Sequence, residues 1–325
     1  MTQERFLITG AMGCIGSWVI RNLVQEGVPV VATDLATAPV RPRQVMSEAE
    51  LAQVKFLQLD VTDLKAVRSA VDDNGITHIV HLAGLQVPFC RANPSLGAAV
   101  NVVGTVNIFE AARHGGVKGL SYASSLAVLG PSEDYPEGRV SDDVALLPRT
   151  LYGVYKVANE GTARIYWQDW QIGSVGLRPY IVYGIGRDQG MTSDLAKAIL
   201  AAAAGRPFHV RFDGPVGLQH ANDVAKMFIG TARASYQGAA ACNLRNDIVE
   251  VSEFVNLIKA EVPDAQITYT TNNPLPFPSD LDDGGLRTIL GDMPWTPLAD
   301  AIRSDLAQFR QLLQAGLIDL KQLEN

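Results

Sequence analysis

The chain has 325 residues, 47% hydrophobic and 19% charged, a globular composition long enough for one large α/β domain or a main domain with a smaller partner. Its 27 Lys and Arg against 34 Asp and Glu give a formal net charge of -7, which speaks against a nucleic-acid partner or an anionic membrane surface. The three cysteines, Cys14, Cys90 and Cys242, form no CxxC pair, and the five histidines show no ligand spacing. A disulfide framework and a metal site are therefore not expected, and a reducing compartment is.

Strand-like and helix-like patterns alternate from the first residues. RFLIT (5–9) is a short apolar run, CIGSWVIRNLVQEG (14–27) has helical period and stops at Gly27, and VPVVATD (28–34) is a second apolar run ending in an acid. VKFLQLD (54–60) predicts a third strand, with a helix near 63–73. THIVHLAG (77–84) and GLSYASS (119–125) predict two more strands, with a long helical stretch over about 94–114 between them. A helix over about 150–170 carries LYGVYKVANE, and GSVGLRPYIVYG (173–184) reads as a sixth strand. Repeated βα units with near-continuous apolar strands imply a doubly wound parallel sheet, helices on both faces.

After 184 the rhythm loosens, with Gly and Pro in GIGRDQG, GRPF, DGPVG and NNPLPFPSD. Helices are expected near 191–204, 223–235, 252–261 and 297–314, with a strand at AACNLR (240–245) that returns to the sheet. The expected organisation is a Rossmann-type domain over 1–184 and a smaller, mixed α/β substrate lobe over 185–325. No segment reads as a secretion signal, and LAKAILAAAAG (195–205) is too short to span a bilayer, so a soluble cytoplasmic protein without a membrane partner is expected.

ITGAMGCIG spaces Gly10, Gly13 and Gly16 as GxxGxxG between the first strand and the first helix. Glycines there let backbone approach a pyrophosphate closely, and the helix N-terminus offers free N–H groups at the positive dipole end. Asp34, at the end of the second strand, suits the two hydroxyls of an adenosine ribose and repels a 2′-phosphate, which favours NAD over NADP. Arg41 and Arg43, further on, are the cations an extra phosphate would need.

Tyr152 and Lys156 lie four apart in LYGVYKVANE, one helical turn, while Tyr155 projects about 100° away from Lys156. A tyrosine with pKa about 10 is a poor base at neutral pH; a nearby ammonium lowers it towards the working range. A serine hydroxyl at a strand end, Ser124 or Ser125, would orient a substrate oxygen and share its developing charge.

Together the TGxxGxxG loop, the upstream serines and YxxxK resemble the short-chain dehydrogenase/reductase superfamily, closest to its extended branch, the NAD-dependent epimerase/dehydratase family. The resemblance covers nearly the whole chain. It implies NAD as cofactor, held by Gly10, Gly13, Cys14, Ile15 and Gly16 of the loop, and by Asp34. It further implies Asp60 and Val61 of FLQLDVTD against the adenine, and Leu82, Ala83 and Gly84 of HLAG along the cofactor. Asn101 stands at the asparagine position of the NVxGT helix, and RPYIVYGIGR resembles RPxxVYGxGR, bringing Pro179 and Val182 to the nicotinamide amide. Tyr152 becomes the acid/base, Lys156 also holds the nicotinamide ribose, and Ser125 fits the serine of the SSxxVYG pattern. HANDVA resembles the VHVxDVA helix start, with Asp223 as a cap and His220 structural. The relatives' dimers imply a homodimer through helices near 95–114 and 151–170.

Two departures bear on the substrate. Leu126 and Ala127 replace the acid pair that dehydratases of this family use to eliminate water. Gly217, Leu218 and Gln219 stand where nucleotide-sugar members carry an arginine that clamps the diphosphate; Arg187, Arg206 or Arg211 would have to compensate. Gln86, Phe89 and Arg91, in the loop after the fourth strand, together with Arg187, are expected to border the substrate; Arg91 invites a carboxylate, the alternative being a helix-start arginine in a surface ion pair. Cys14 reads as packing, and Cys90 has no cue to a lowered pKa. The expected activity is hydride transfer between NAD and a secondary alcohol or ketone of a small sugar, sugar acid, lactone or polyol. The alternatives are an NAD-dependent (nucleotide-)sugar epimerase and a non-catalytic NAD-binding regulator.

Overall fold

The computed structural model describes residues 3–324. Seven strands form the main sheet: β1 (Phe6–Thr9), β2 (Val30–Asp34), β3 (Lys55–Gln58), β4 (His78–His81), β5 (Gly119–Ala123), β6 (Ser174–Arg178) and β10 (Ala239–Asn243). Their order is β10-β6-β5-β4-β1-β2-β3, and every pairing is parallel. Both faces are covered, so Phe6, Leu7 and Ile8 are all fully buried although they alternate in direction. The order reverses beside β1, which pairs with both β2 and β4, and the crevice at their carboxyl ends is where such sheets bind ligands.

On one face α1 (Cys14–Gln25) packs against α6 (Ala221–Arg233). On the other, α2 (Leu64–Asp72) and α4 (Leu151–Trp170) flank α3 (Pro94–Gly115). The α3 stretch is long and apolar enough, by length and composition, to cross a membrane, yet half of its apolar window is buried inside the protein, as a core helix requires. Its middle, Ala99–Val103, winds as a π-helix.

The run 173–184 is two strands rather than one. Pro179 has no N–H to donate, so the ladder ends at Arg178, and β7 (Ile181–Tyr183) leaves for a separate sheet of order β11-β9-β7, built with β9 (Pro215–His220) and β11 (Asp247–Glu250). A third, two-stranded sheet pairs β8 (Phe208–Val210) with β12 (Ile267–Tyr269). Helices α5 (Asp194–Ala203), α7 (Val251–Glu261) and α8 (Leu298–Gln314) pack around these sheets. The chain then crosses back: α6 lies against β5, and β10 adds to the edge of β6, in register from Ala239 opposite Ser174 to Asn243 opposite Arg178.

Candidate active site

The turn between β1 and α1 needs glycine at two points. Gly10 has φ +65°, and a Cβ there would come within 2.6 Å of the Ala83 nitrogen. One on Gly16 would come within 2.5 Å of the Gly10 carbonyl oxygen. The backbone therefore folds into a cradle, and α1 begins at Cys14 with no side chain capping its N–H groups. Asp34 stands at the cradle's edge, its carboxylate accepting from the amides of Met12 at 3.0 Å and Ala36 at 3.3 Å. Neither nearby arginine offers a free fork to a 2′-phosphate: Arg43 pairs with Glu48 at 3.0 Å and Arg41 with Asp188 at 2.8 Å.

Thr150 caps α4 by accepting from the Gly153 amide at 3.0 Å, which sets where the helix starts and hence where Tyr152 stands. One turn on, Lys156 is 3% exposed, its ammonium 5.5 Å from the Tyr152 ring centroid and donating to the Ala123 carbonyl at 2.8 Å. Ser125 stands beside the Tyr152 phenol in the cavity lining, and its hydroxyl accepts from the Ala127 amide at 3.2 Å. Ser124 turns the other way, 2% exposed, and donates to Glu160 at 2.5 Å, as opposite faces of an extended segment require. Tyr155 is occupied in packing, its hydroxyl donating to the Pro94 carbonyl at 3.0 Å.

Burial raises the Tyr152 pKa, while the Ser125 hydrogen bond and then the Arg187 charge pull it down. The Arg187 charge thus reaches the phenol, and the Lys156 ammonium lies over its ring face. Burial lowers the Lys156 pKa from 10.5 to about 8. Burial likewise raises Cys14 to about 12 and raises Cys90, whose thiol donates to the Leu85 carbonyl at 3.1 Å, so both are inert thiols.

A cavity of about 840 Å³ runs from Asp34 and Asp60, past the cradle, to Ser125 and Tyr152. It is lined by Gly10, Gly13, Cys14, Ile15, Gly16, Val61, Leu82, Ala83, Gly84, Lys156, Pro179 and Val182, and by Gln86 and Arg187 near the phenol. Three of the expected residues lie outside it. Asn101 is fully buried in the π-turn, its amide donating to the carbonyls of Gly97 at 2.9 Å and Leu85 at 3.2 Å, behind Gly84. Arg91 is exposed in the last turn of the short helix Val87–Ala92, away from the lining. Phe89 is likewise exposed and outside it.

Of the three arginines that could compensate for the missing clamp, only Arg187 reaches the cavity; Arg211 is tied to Asp194 at 2.7 Å. Gln219 is buried in β9, its side-chain oxygen accepting from the Tyr180 amide at 2.8 Å, a structural use of the position. Asp223 does not cap α6. Its carboxylate accepts from the amide of Thr296 at 2.7 Å and the hydroxyl at 3.0 Å, pinning the lead-in to α8. His220 is structural: burial lowers its pKa, but the Asp305 carboxylate at 3.3 Å outweighs this and raises it.

The sequence did not reveal a second wall. Arg149, Tyr180, Met191 and the strip Leu275–Pro276–Phe277 also line the cavity. The strip is anchored by the Ser132 amide donating to Pro276 at 3.2 Å, with Phe277 edge-on to Tyr180 at 6.2 Å. Its one signal is the Pro-rich stretch NNPLPFPSD, which marks a loop and not its destination. No cluster of metal-ligating side chains occurs among the described residues.

The model of the NAD dependent epimerase/dehydratase family matches residues 6–243. The chain is 28% identical to the UDP-glucose 4-epimerase of Mycolicibacterium smegmatis over 95% of its own length and 100% of that protein's. It is 27% identical to the mitochondrial L-threonine 3-dehydrogenase of Bos taurus over 83% of its own length and 72% of that protein's. Among solved structures, the UDP-glucose 4-epimerase of Thermus thermophilus in complex with NAD superimposes with a TM-score of 0.78 at 26% identity, over 94% of this chain and 99% of that one.

Proposed function

The chain belongs to the NAD dependent epimerase/dehydratase family, and on that premise we propose that it is an NAD-dependent oxidoreductase acting on a secondary alcohol or ketone of a small sugar, sugar acid, lactone or polyol. The observation that carries this is the convergence of Ser125, Tyr152 and Lys156 at the end of a cavity continuous with the phosphate cradle. NAD, when bound, supplies the hydride acceptor or donor. The free N–H groups at the start of α1 hold its pyrophosphate, Asp34 its adenosine ribose, and Asp60 and Val61 flank the adenine. Ser125 fixes the substrate oxygen, and Tyr152 takes or returns that oxygen's proton. Lys156 holds the nicotinamide ribose. Residues 185–325, apart from α6 and β10, which belong to the main sheet and its helix layer, contribute the substrate-binding lobe, with Gln86 across from it.

A small substrate is favoured because no arginine replaces Gly217–Gln219 in β9 and because the Leu275–Phe277 strip walls the cavity. The three free cysteines suit a reducing cytoplasm. An epimerase remains the second reading, favoured by the full-length match to the Mycolicibacterium enzyme. Polyols, sugar acids and lactones incubated with NAD decide between them. Stoichiometric NADH marks the dehydrogenase. Protein that purifies with NAD and interconverts sugars without net NADH marks the epimerase and overturns the first reading.

The Lys156 shift carries a pH consequence. With its pKa at about 8, the ammonium is lost as pH rises through 8 in the folded protein. NADH affinity should therefore fall above about pH 8 in the wild type and stay flat there in Lys156→Met. A flat wild-type profile between pH 7 and 9 would show that this charge does not hold the cofactor.

The protein is further proposed to pair as a homodimer through α3 and α4, whose Leu96, Val103, Val154 and Ile165 are each 47–49% exposed. Sedimentation should give twice the 35.0 kDa of one chain, and Val154→Glu with Ile165→Glu should give one; a monomeric wild type would refute the pairing.

A further inference from the structure

The loop that follows β7 is docked on the phosphate cradle residue by residue. The Ile185 carbonyl accepts from the Trp18 indole N–H at 3.1 Å and from the Cys14 thiol at 3.6 Å. A methyl on Gly186 would lie 3.6 Å from the Cys14 Cα. Asp188 receives the fork of Arg41, Nε at 3.2 Å and Nη2 at 2.8 Å, and the remaining Arg41 nitrogen, Nη1, donates to the Met12 carbonyl at 3.0 Å. The loop thus bridges from the first turn of α1 to the segment after β2, over the opening where that helix exposes its N–H groups.

Between these anchors Arg187 lines the cavity. Its Nε is buried without a partner among the described residues, and its Nη2 makes a long hydrogen bond, 3.4 Å, to the Thr192 hydroxyl. Arg41 and Asp188 cancel one another, so Arg187 is left as a guanidinium without a carboxylate partner of its own, in the cavity close to Cys14 at the start of α1. Two sources of positive potential converging on one small volume call for a doubly charged oxyanion.

We propose that Arg187 clamps the pyrophosphate of the bound dinucleotide, and that the Arg41–Asp188 ion pair is the latch holding this clamp over the cradle. The proposal rests on the reading that NAD occupies the cavity, and it moves Arg187 from the substrate to the cofactor. Its neighbours in sequence on both sides are fixed to the cradle, which places the side chain's root at the pyrophosphate position. A substrate carboxylate is the competing oxyanion, and the test separates the two.

Binding of NADH, ADP-ribose and adenosine is measured by calorimetry and fluorescence, with no turnover required. In Arg187→Met the Kd of ADP-ribose should rise about 10- to 100-fold, the range for losing a charge-assisted hydrogen bond pair, while that of adenosine stays within about twofold. Arg187→Lys, which keeps the charge and loses the fork, should fall between, with an unchanged melting temperature as the folding control. In Asp188→Asn the NADH release rate, read by stopped flow, should rise several-fold. An ADP-ribose affinity unchanged in Arg187→Met overturns the clamp, and a concurrent rise in KM for an acidic substrate would assign the guanidinium to that substrate. An unchanged release rate in Asp188→Asn overturns the latch. Wild-type protein that binds neither NADH nor ADP-ribose would instead bring down the dinucleotide reading itself, and the clamp with it.

Discussion

Tyr152→Phe should lower kcat by about 10²–10⁴-fold, the usual contribution of a positioned proton donor or acceptor, while NADH binding and melting temperature stay as in the wild type. The ring remains to pack under Lys156, so only the hydroxyl that meets Ser125 is lost. Ser125→Ala should cost less, because the phenol remains and only one hydrogen bond to the substrate oxygen goes. The comparison is made on whichever alcohol yields NADH with the wild type. Activity within tenfold of wild type in Tyr152→Phe would remove the phenol from the chemistry and with it the proposed mechanism.

Glu160→Ala should destabilise the fold by about 3–5 kcal/mol, the range for stranding one member of a buried ion pair. Arg178 is 3% exposed and meets Glu160 with two hydrogen bonds of 2.8 Å, and the same carboxylate accepts from Ser124. Removing it leaves a guanidinium in the interior hydrogen-bonded to the Asp142 carbonyl at 3.0 Å and the Asn243 amide oxygen at 3.3 Å, with the Asp142 carboxylate as its remaining counter-charge. Glu160→Gln keeps the shape and loses the charge, and should be milder. Urea unfolding of the three proteins measures this, and a Glu160→Ala loss under about 1 kcal/mol would mean that the interior admits water to Arg178. Because Glu160 sits one turn beyond Lys156 and Ser124 precedes Ser125, the Ser124–Glu160 hydrogen bond also ties the helix bearing the phenol to the segment after β5 that bears the serine.

Much of this was legible in one dimension because it is local. The cradle is set by three glycines within seven residues, and the Tyr152–Lys156 face by one helical turn. The preference for Ser125 over Ser124 rests on the SSxxVYG resemblance, alternation saying only that the two face opposite ways, and the structure adds the reason Ser124 is not free: Glu160 holds it. What was not legible depends on contacts between distant segments. Arg91 read as a substrate residue because its loop follows β4, but the short helix Val87–Ala92 carries it out to solvent. Asn101 read as a cofactor residue, but a π-turn sinks it behind Gly84. Asp223 had the position of a cap and is drawn instead to Thr296, 73 residues away. The Leu275–Phe277 wall and the Arg41–Asp188 pair, 147 residues apart, have no local pattern at all.

The return of residues 239–243 to the edge of β6 has a consequence for how the protein is made. While the ribosome is still extending the chain through α5, β9 and α6, the β6 edge presents unpaired N–H and C=O groups, a template for any other extended strand nearby. At roughly 5–20 residues per second, the about 60 residues between Arg178 and Ala239 keep that edge open for several seconds of synthesis. α6, which covers β5, emerges in the same interval. The sheet is therefore completed late, and a nascent chain stalled between these points would be the species most prone to aggregate.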